Sequence, residues 1–536
     1  MADLQTPYST AMPYVVADAA SGGWQSDYDR QRLASYDLYD DMFHNDPARY
    51  RLMLRGSDEK PIYVPTAGSI IKSLARYVGK NWGFRVLEPV ADPGEEAETV
   101  TPEQIALAQV TFGKLFARER LLSRYRSGVP EWLRRGDWCW FVSADELKAA
   151  GRRISVRPID PRRYFPINGD VTDLSRVTGQ QLIEEVMVGE TIALYVQTWL
   201  KASDPGHPDF GQEEPEEGFP ITYSADVFDV KDYDDPLKRK RLTSPDYASV
   251  AQEYIEGITN LPIYHIKNNE ETDDPFGRSD LAGLESMVSG INQAITDEDL
   301  ALALMGIGMY TTDSGAPVDE TTGQPTNWKL GPNRVVETDE GTSFSKVEGI
   351  DDVKPFQDHV GYMKSEAQGN AGLSDVSVGT AQNVSAESGI ALAIKFSPTQ
   401  DTVIAKNDNS NGVLSQMLHD LKDWFLAFEQ IDLGAVDIVS VTEDKNLLPF
   451  DREGRWKELM EGVTAKLFTI EYAVQVAAEE FGYVFPAGYG AAAQAAADAS
   501  AAVDPFAARA GAELDAEDEG EDDASAEADA DPAAES

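Results

Sequence analysis

The sequence predicts an α+β protein of several modules, organised around a pair of helices that flank a small β insertion. Three observations carry this. Leu281, Leu284, Val288, Ile291 and Ile295 recur at three- and four-residue steps, the stripe of an amphipathic helix. Between Met309 and Gly349, turn signals (SGAP, TTGQP, GPN, DEG) separate short β-type runs at Trp328 to Leu330, Arg334 to Thr338 and Phe344 to Val347. A second helix then starts near Asp351, and a Gly, Ser and Asn-rich loop follows it.

Taken in order, the chain first places Tyr28, Leu33, Tyr36, Leu38, Tyr39 and Phe43 on an aromatic-rich helix ended by HNDP. Ile70, Ile71, Leu74 and Val78 mark a second helix after Pro65, and WGFRVLEP reads as a short strand. Thr101, Pro102 and Gln104 start a helix expected to run to about Tyr125. The stretch from Trp138 to Tyr195 is β-rich (DWCWFVS, RISVRPI, ETIALYVQTW), with DPRRYFP as an irregular connection. Lys201 to Tyr247 is rich in acid, Pro and Gly, so weak order is expected there around one strand, ITYSADVFDV. LPIYHIKN is a strand leading into the central helix.

After SAESGIALAIKF a helix is expected to break at SPTQD and resume at Gly412, where Leu414, Met417, Leu418, Leu421, Trp424, Phe425 and Phe428 make a broad apolar face. AVDIVSVTEDK is a strand, and RWKELMEGVTAKLFTIEYAVQVAAEEFGY supplies one or two last helices. The Ala-rich run from Ala491 and the acidic end are low in complexity and expected to be disordered.

At 536 residues, with 42% hydrophobic and 9% aromatic side chains, the chain buries a sizeable interior and divides into modules. No apolar run approaches the roughly 18 to 20 residues that span a bilayer, and MADLQTPYSTAMPYVV lacks a secretory layout, so a cytosolic product and no membrane partner are expected. The single cysteine, Cys139, allows no internal disulfide and reads as a buried bystander. The formal charge is -47; a dozen acids and no Lys or Arg lie between Gly511 and Ser536, and the rest of the chain is acidic too. A protein that grips DNA neutralises phosphates with Lys and Arg, so gripping is excluded over most of this surface. A conduit is not excluded, because a weakly repelling wall lets a duplex slide; solubility alone also accounts for the acidity. The one basic cluster, Lys238 to Arg241, is short and lacks aromatic interleaving, and reads as a solvated loop or an ion pair between subunits.

The FGRS entry to the central helix, Ile291 and Asn292 followed by an acidic run, GLSDVSVG, and SAESGIALAIKF occur in an order that closely resembles the portal proteins of tailed bacteriophages. The match extends more weakly over about Tyr28 to Gln430. The resemblance implies an α+β portal fold: an N-terminal arm over 1–25, poorly ordered; an α/β wing over 26–275; stem helices over 276–308 and 351–372; a β clip over 309–350; a tunnel loop over 373–388; a long wing helix and closing strand over 389–445; crown helices over 446–490; and a disordered acidic tail over 491–536. It implies a ring, by analogy about twelve copies closed around an axis, seated at one capsid vertex of the virion after assembly in the host cytoplasm. Its partners would be double-stranded DNA in the channel, the terminase large subunit, the major capsid protein and scaffold, and a head-completion or adaptor protein.

On that resemblance Asp375, Val376, Ser377, Val378, Gly379, Thr380, Gln382 and Asn383 become the loop facing DNA. Trp328, Lys329 and Arg334 become clip residues that meet partners, and His359 and Lys364 join Leu281, Leu284, Val288, Ile291 and Ile295 in the stem wall. A helix from Leu281 to Met305 is about 37 Å long at 1.5 Å per residue, enough for a channel wall.

Catalysis is not expected. The five histidines (His44, His207, His265, His359, His419) show no metal-ligand spacing, and HExxH, Walker and GxSxG motifs are absent; neither metal nor cofactor is expected. Two alternatives stand beside the portal reading. One is a metal-dependent nuclease using Asp437, Glu443 and Lys445, with a charged strand end as the plainer account of those residues. The other is a different virion ring, such as a connector or baseplate component.

Overall fold

The computed structural model describes residues 25–502 apart from 55–59, 90–99, 169–175, 214, 216–217, 232, 234–237, 272–273, 308, 320, 327–340, 348–352, 380–388, 443–451, 466 and 482–488. It forms two compact units, Met1–Leu447 and Leu448–Ser536, and the secondary structure is mixed α+β, as expected. Helix α1 (Asp27–His44) is capped by the Ser26 hydroxyl, which accepts from Asp29 N, and stopped by Asn45 in the left-handed region. Its buried face holds Tyr28, Tyr36, Tyr39 and Met42, and also the charged pair Asp29 and Arg32. Helix α2 (Thr66–Ala75) buries Ile70, Ile71 and Leu74, and β1 (Gly83–Leu87) follows.

Helix α3 (Pro102–Glu119) opens with the capping box that Thr101 and Gln104 suggested. It does not run on to Tyr125. Arg120 adopts φ 52°, and α4 (Leu121–Arg135) starts there, continuing through Gly128 and Pro130. Gly128 serves packing, since a Cβ there would meet the Trp138 ring at 2.5 Å. Pro130 removes one donor, but the carbonyl it orphans belongs to exposed Arg126.

Strands β2 (Asp137–Ala144), β3 (Ile154–Ile159) and β9 (Ile263–Lys267) form a three-stranded antiparallel sheet in the order β3-β2-β9. Strands β4 (Tyr164–Asn168), β5 (Val177–Val188), β6 (Thr191–Leu200), β7 (Thr222–Asp229) and β8 (Val250–Tyr254) form a five-stranded antiparallel meander. Only half of DPRRYFP is irregular: Pro161–Arg163 make one 3-10 turn, and Tyr164 to Pro166 enter β4, an edge strand that tolerates proline. The stretch after Lys201 is better tied than its composition suggests. Asp204 and His207 are buried, with Thr178 Oγ1 donating to Asp204 Oδ2 at 2.8 Å and His207 Nε2 3.1 Å from Pro220 O.

The two central helices are α5 (Glu285–Ile307) and α6 (Lys354–Asn370); between them β10 (Met309–Thr312) pairs antiparallel with β11 (Phe344–Val347). After the single turn α7 (Asp375–Val378) comes α8 (Gly389–Trp424), 36 residues without the expected interruption at SPTQD. Pro398 sits inside it; the carbonyl it frees is that of Ile394, which is largely exposed, and Thr402 Oγ1 bonds the Pro398 carbonyl at 2.9 Å. The C-terminal half of α8 buries Leu414, Met417, Leu418, Leu421 and Trp424 as its pattern predicts. Strand β12 (Asp437–Val441) closes this unit by pairing with β1, Gly83 opposite Val441 and Leu87 opposite Asp437.

In the second unit, α9 (Arg452–Thr464) and α10 (Ile470–Phe481) fall where helices were expected. The Ala-rich run does not fit the expected disorder over its first part: α11 (Tyr489–Ala502) is helical and pairs with α10, Gln494 Oε1 accepting from Ile470 N at 2.7 Å. Alanine loses no side-chain entropy in a helix, so low complexity there does not mean disorder. Residues 1–24 and 503–536, the expected arm and acidic tail, lie outside the described residues.

Asp40 ties α1 to α4: Arg135 Nη2 and Arg162 Nη2 each lie 2.8 Å from its Oδ2, and Arg134 bonds its Oδ1. Burial pushes this carboxyl up, but the bond and charge of Arg135, with Arg162 and Arg134, outweigh it and hold Asp40 below its ordinary 3.8. A depressed carboxyl contributes stability above its unfolded pKa and loses it as pH falls through the folded one. The urea midpoint of the wild type should therefore fall below about pH 4. Asp40→Asn should lower the midpoint at pH 7 and remove that part of the acid dependence.

Candidate functional site

The root of α5 is built from the FGRS motif. Phe276 is fully buried, with the Arg32 guanidinium 4.0 Å from its ring centroid. Gly277 has no room for a side chain: a Cβ would lie 2.2 Å from Gly136 O and 2.4 Å from Asn268 N. Its N–H donates to Asp137 Oδ1 at 2.8 Å. Asp137 is buried at the start of β2, where it also accepts from Tyr36 Oη at 2.6 Å and lies 2.6 Å from His265 Nε2. Arg278 N donates to Asn268 O, and Ser279 Oγ accepts from Leu281 N at 3.0 Å. Asp280 is paired with Lys406 of α8 at 2.7 Å, both side chains 6% exposed, and Lys406 also bonds Asn268 Oδ1.

Leu281, Leu284, Val288 and Ile291 are buried, and Ile295 is half-buried. Leu281 and Leu284 lie in the turns just before the helix rather than on it. Sequence reasoning missed the use of the polar positions beside them. Asn292 Oδ1 accepts from Val64 N at 2.8 Å and Thr296 Oγ1 from Ile62 N at 3.0 Å. Gln293 clamps both backbone groups of Met53, accepting from its N–H at 2.7 Å and donating to its carbonyl at 3.2 Å. An extended segment before α2 thus runs along α5 as if α5 were a strand partner. The one available signal was the buried-helix spacing of Asn292 and Thr296, four residues apart.

Beyond Thr296 the helix leaves this packing. Asp299, Leu302 and Ala303 are exposed, and α5 carries Glu285, Asp297, Glu298 and Asp299 with no Lys or Arg. Helix α6 returns antiparallel along it, Gln357 Nε2 donating to Glu298 Oε1 at 3.1 Å near one end and Met363 facing Gly290 nearer the other. Val360 and Ala367 are its buried positions. His359 is exposed and Lys364 half-buried. At the tip, Phe344 to Val347 is the expected strand, whereas Trp328, Lys329 and Arg334 lie outside the described residues.

The expected loop opens with α7. Ser374 caps it, Gly379 ends it at φ 80°, and Gly372 at φ 73° turns the chain into it where a Cβ would strike Thr402. Ser377 is buried: its Oγ donates to Ser374 O, and its carbonyl accepts from Tyr77 Oη at 2.9 Å. The Ser374 amide donates to Thr399 Oγ1 of α8 at 2.8 Å. Phe396, the last residue of SAESGIALAIKF, is buried with its ring edge-on to Tyr77. Asp375 and Gly379 are exposed and Val376 and Val378 half-buried, while Thr380, Gln382 and Asn383 lie outside the described residues.

Of the three residues of the enzymatic alternative, one is among the described residues. Asp437 lies 3.5 Å from His419, and Glu443 and Lys445 lie outside the described residues. Among the described residues no group of His, Cys, Asp or Glu is placed to hold a metal. Cys139 is buried in β2, which pushes its thiol well above the ordinary range. The basic cluster is partly absorbed within its own chain: Arg241 pairs with Asp226 at 3.1 Å and Arg239 lies over the Tyr233 ring. Among the described residues no helix is long and apolar enough to cross a membrane.

The root of α5 depends on a buried charge pair, so removing one partner should cost far more than removing both. Lys406→Met should lose about 3 to 5 kcal/mol in urea denaturation, and adding Asp280→Asn should recover most of it. Comparisons with models of known protein families and with characterised proteins return no match to this chain.

Proposed function

We propose that the chain is the repeating unit of a portal-type ring, a non-enzymatic conduit at one capsid vertex through which double-stranded DNA enters during packaging and leaves at ejection. The observation that carries this reading is the α5–α6 hairpin. Its root is locked by buried charges and a glycine contact, its acidic first helix exposes Asp299, Leu302 and Ala303 further along, and beyond them lies a small β pair. A single such hairpin leaves Leu302 and Tyr362 uncovered, 45% and 63% exposed, so it calls for lateral neighbours. Copies joined head to tail close into a ring.

The charge of the hairpin supports a passage rather than a grip. With no Lys or Arg on α5, phosphate finds no cationic partner along that helix, and of the two lysines on α6 Lys354 is paired with Asp358, which leaves little for counterion release to act on. Under this reading the tip meets the terminase large subunit and later the head-completion or adaptor protein, and the outer layers meet the major capsid protein and scaffold. The loop that begins with α7 would touch DNA, with Asp375, Val376 and Gly379 as its described contact residues and Ser377 holding the turn.

Native mass spectrometry of the purified chain should show one closed ring, and end-on class averages a central hole. Deleting Val376 to Gln382 should leave the ring intact and abolish genome filling. Rings that fill normally without that segment would remove the loop from the mechanism, and a chain monomeric at high concentration would remove the reading itself.

A further inference from the structure

From Lys114 to Arg163 the chain carries thirteen Lys and Arg against six Asp and Glu, the reverse of its overall 46 against 93. No more than two of these cations are adjacent in sequence, so the fold and not the order brings them together. Four are used inside the unit: Arg134, Arg135 and Arg162 on Asp40, and Arg163 on Glu184. Others gather along the free edge of β3, the outer strand of the β3-β2-β9 sheet.

Two arginines are fastened to that edge. Arg118 of α3 donates to the carbonyls of Gly151 and Ile154, and Arg124 of α4 to that of Val156. The Ile154 and Val156 carbonyls lie two residues, roughly 7 Å, apart along the strand. Both arginines share one acid, Glu119, at 3.1 Å each. Arg153 donates to the Phe428 carbonyl at 2.7 Å, while its own amide and that of Gly151 donate to Glu429. Around these fixed groups stand Lys114, one turn before Arg118, Arg120 at the junction of α3 and α4, and Arg152; all three are exposed and have no ion pair among the described residues. Six cations thus meet two bonded acids. Of the other acids in the stretch, Asp145 lies 3.7 Å from Lys148, Glu131 lies 3.7 Å from Arg135, and Glu146 is in the turn between β2 and β3.

A guanidinium already held by a strand carbonyl keeps further N–H donors and loses little entropy when it takes an anion. Folded surfaces interleave acids with cations, as this chain does at Arg49 with Asp41 and Lys354 with Asp358. A nucleic-acid strand instead presents one phosphate per residue without a break. The acidic stretch from Gly511 to Ser536 is sparser, a dozen acids in 26 residues. Closely set arginine forks suit the denser polyanion.

We propose that the free edge of β3 is a phosphate-backbone site for nucleic acid, in which Arg118 and Arg124 form the fixed part and Lys114, Arg120 and Arg152 close on the strand. Backbone contacts carry no sequence information, so the site holds without reading. It goes beyond the ring reading and does not depend on it, since a single chain presents the same edge.

Fluorescence anisotropy of a labelled duplex of mixed sequence with the full chain tests it. Binding at about 50 mM salt should weaken by roughly fortyfold at about 200 mM, the loss for about three neutralised phosphates. Arg120→Gln and Arg152→Gln should each leave the urea midpoint unchanged, weaken binding about threefold or more, and make the salt slope shallower. Lys240→Gln, in the cluster from Lys238 to Arg241, should change neither affinity nor slope. The inference falls if the duplex does not bind at low salt, or if both arginine variants bind as the wild type does. It also falls if a synthetic peptide of residues 511–536 binds in an arginine-dependent way and the duplex does not. A monomeric chain that binds duplex with this arginine dependence keeps the inference and overturns the ring reading; a closed ring that fails to bind does the reverse.

Discussion

The course of α5 and α6 depends on how the chain leaves β9 and enters α5. Gly136 and Gly277 bring two backbone segments so close that no side chain fits between them. Asp137, buried next to Gly136, receives the Gly277 amide, and Lys406 reaches in from α8 to neutralise Asp280. Burying these charges is unfavourable unless each finds a partner. Here the partners come from β2, β9, α1 and α8 at once, so the direction of α5 is fixed by the whole unit.

The second constraint is polar economy along α5. A buried helix face normally excludes Asn, Gln and Thr, whose polar groups must be satisfied. In this chain they substitute for a neighbouring strand, taking up the N–H groups of Ile62 and Val64 and both groups of Met53. One set of side chains thereby serves both the backbone of the described part of that segment and the burial of the helix side, while the buried Nδ2 of Asn292 has no partner among the described residues. The same bonds determine which apolar side chains that segment turns outward.

Much of this was legible. The apolar stripe of α5, the start of α3, the β pair at Phe344 to Val347 and the strand AVDIVSV were each marked by local periodicity or capping chemistry. What was not legible came from residues whose local preference yields to packing. The break expected at SPTQD is absent: Pro398, like Pro130, sits in a continuous helix, and the carbonyl it orphans lies on an exposed residue. Gly128 makes space for Trp138. The longest strand of the meander, β5, carries Gln180, Gln181, Glu184 and Glu185 and shows no clean alternation, because Gln180 turns inward to bond both backbone groups of Ile263. Side-chain roles in the expected loop were not legible: Ser377 is buried, and its hydroxyl serves its own turn.

The net charge poses the remaining physical question, since copies of a chain at -47 repel one another in any assembly. A dozen of those charges lie in the last 26 residues, and ionic screening over about 8 Å at physiological salt makes distant charges count little. What matters at a contact is the balance within a Debye length of it. Before α2, Arg49 is paired with Asp41, and Lys60 directly follows Asp58 and Glu59 in the sequence, so cations and acids are interleaved there. Along α6, Lys354 is paired with Asp358, while Glu366 is exposed. Charges balanced within a turn or two in this way add little to the field at a distance, so the net charge of the chain is a poor guide to what any one of its surfaces repels.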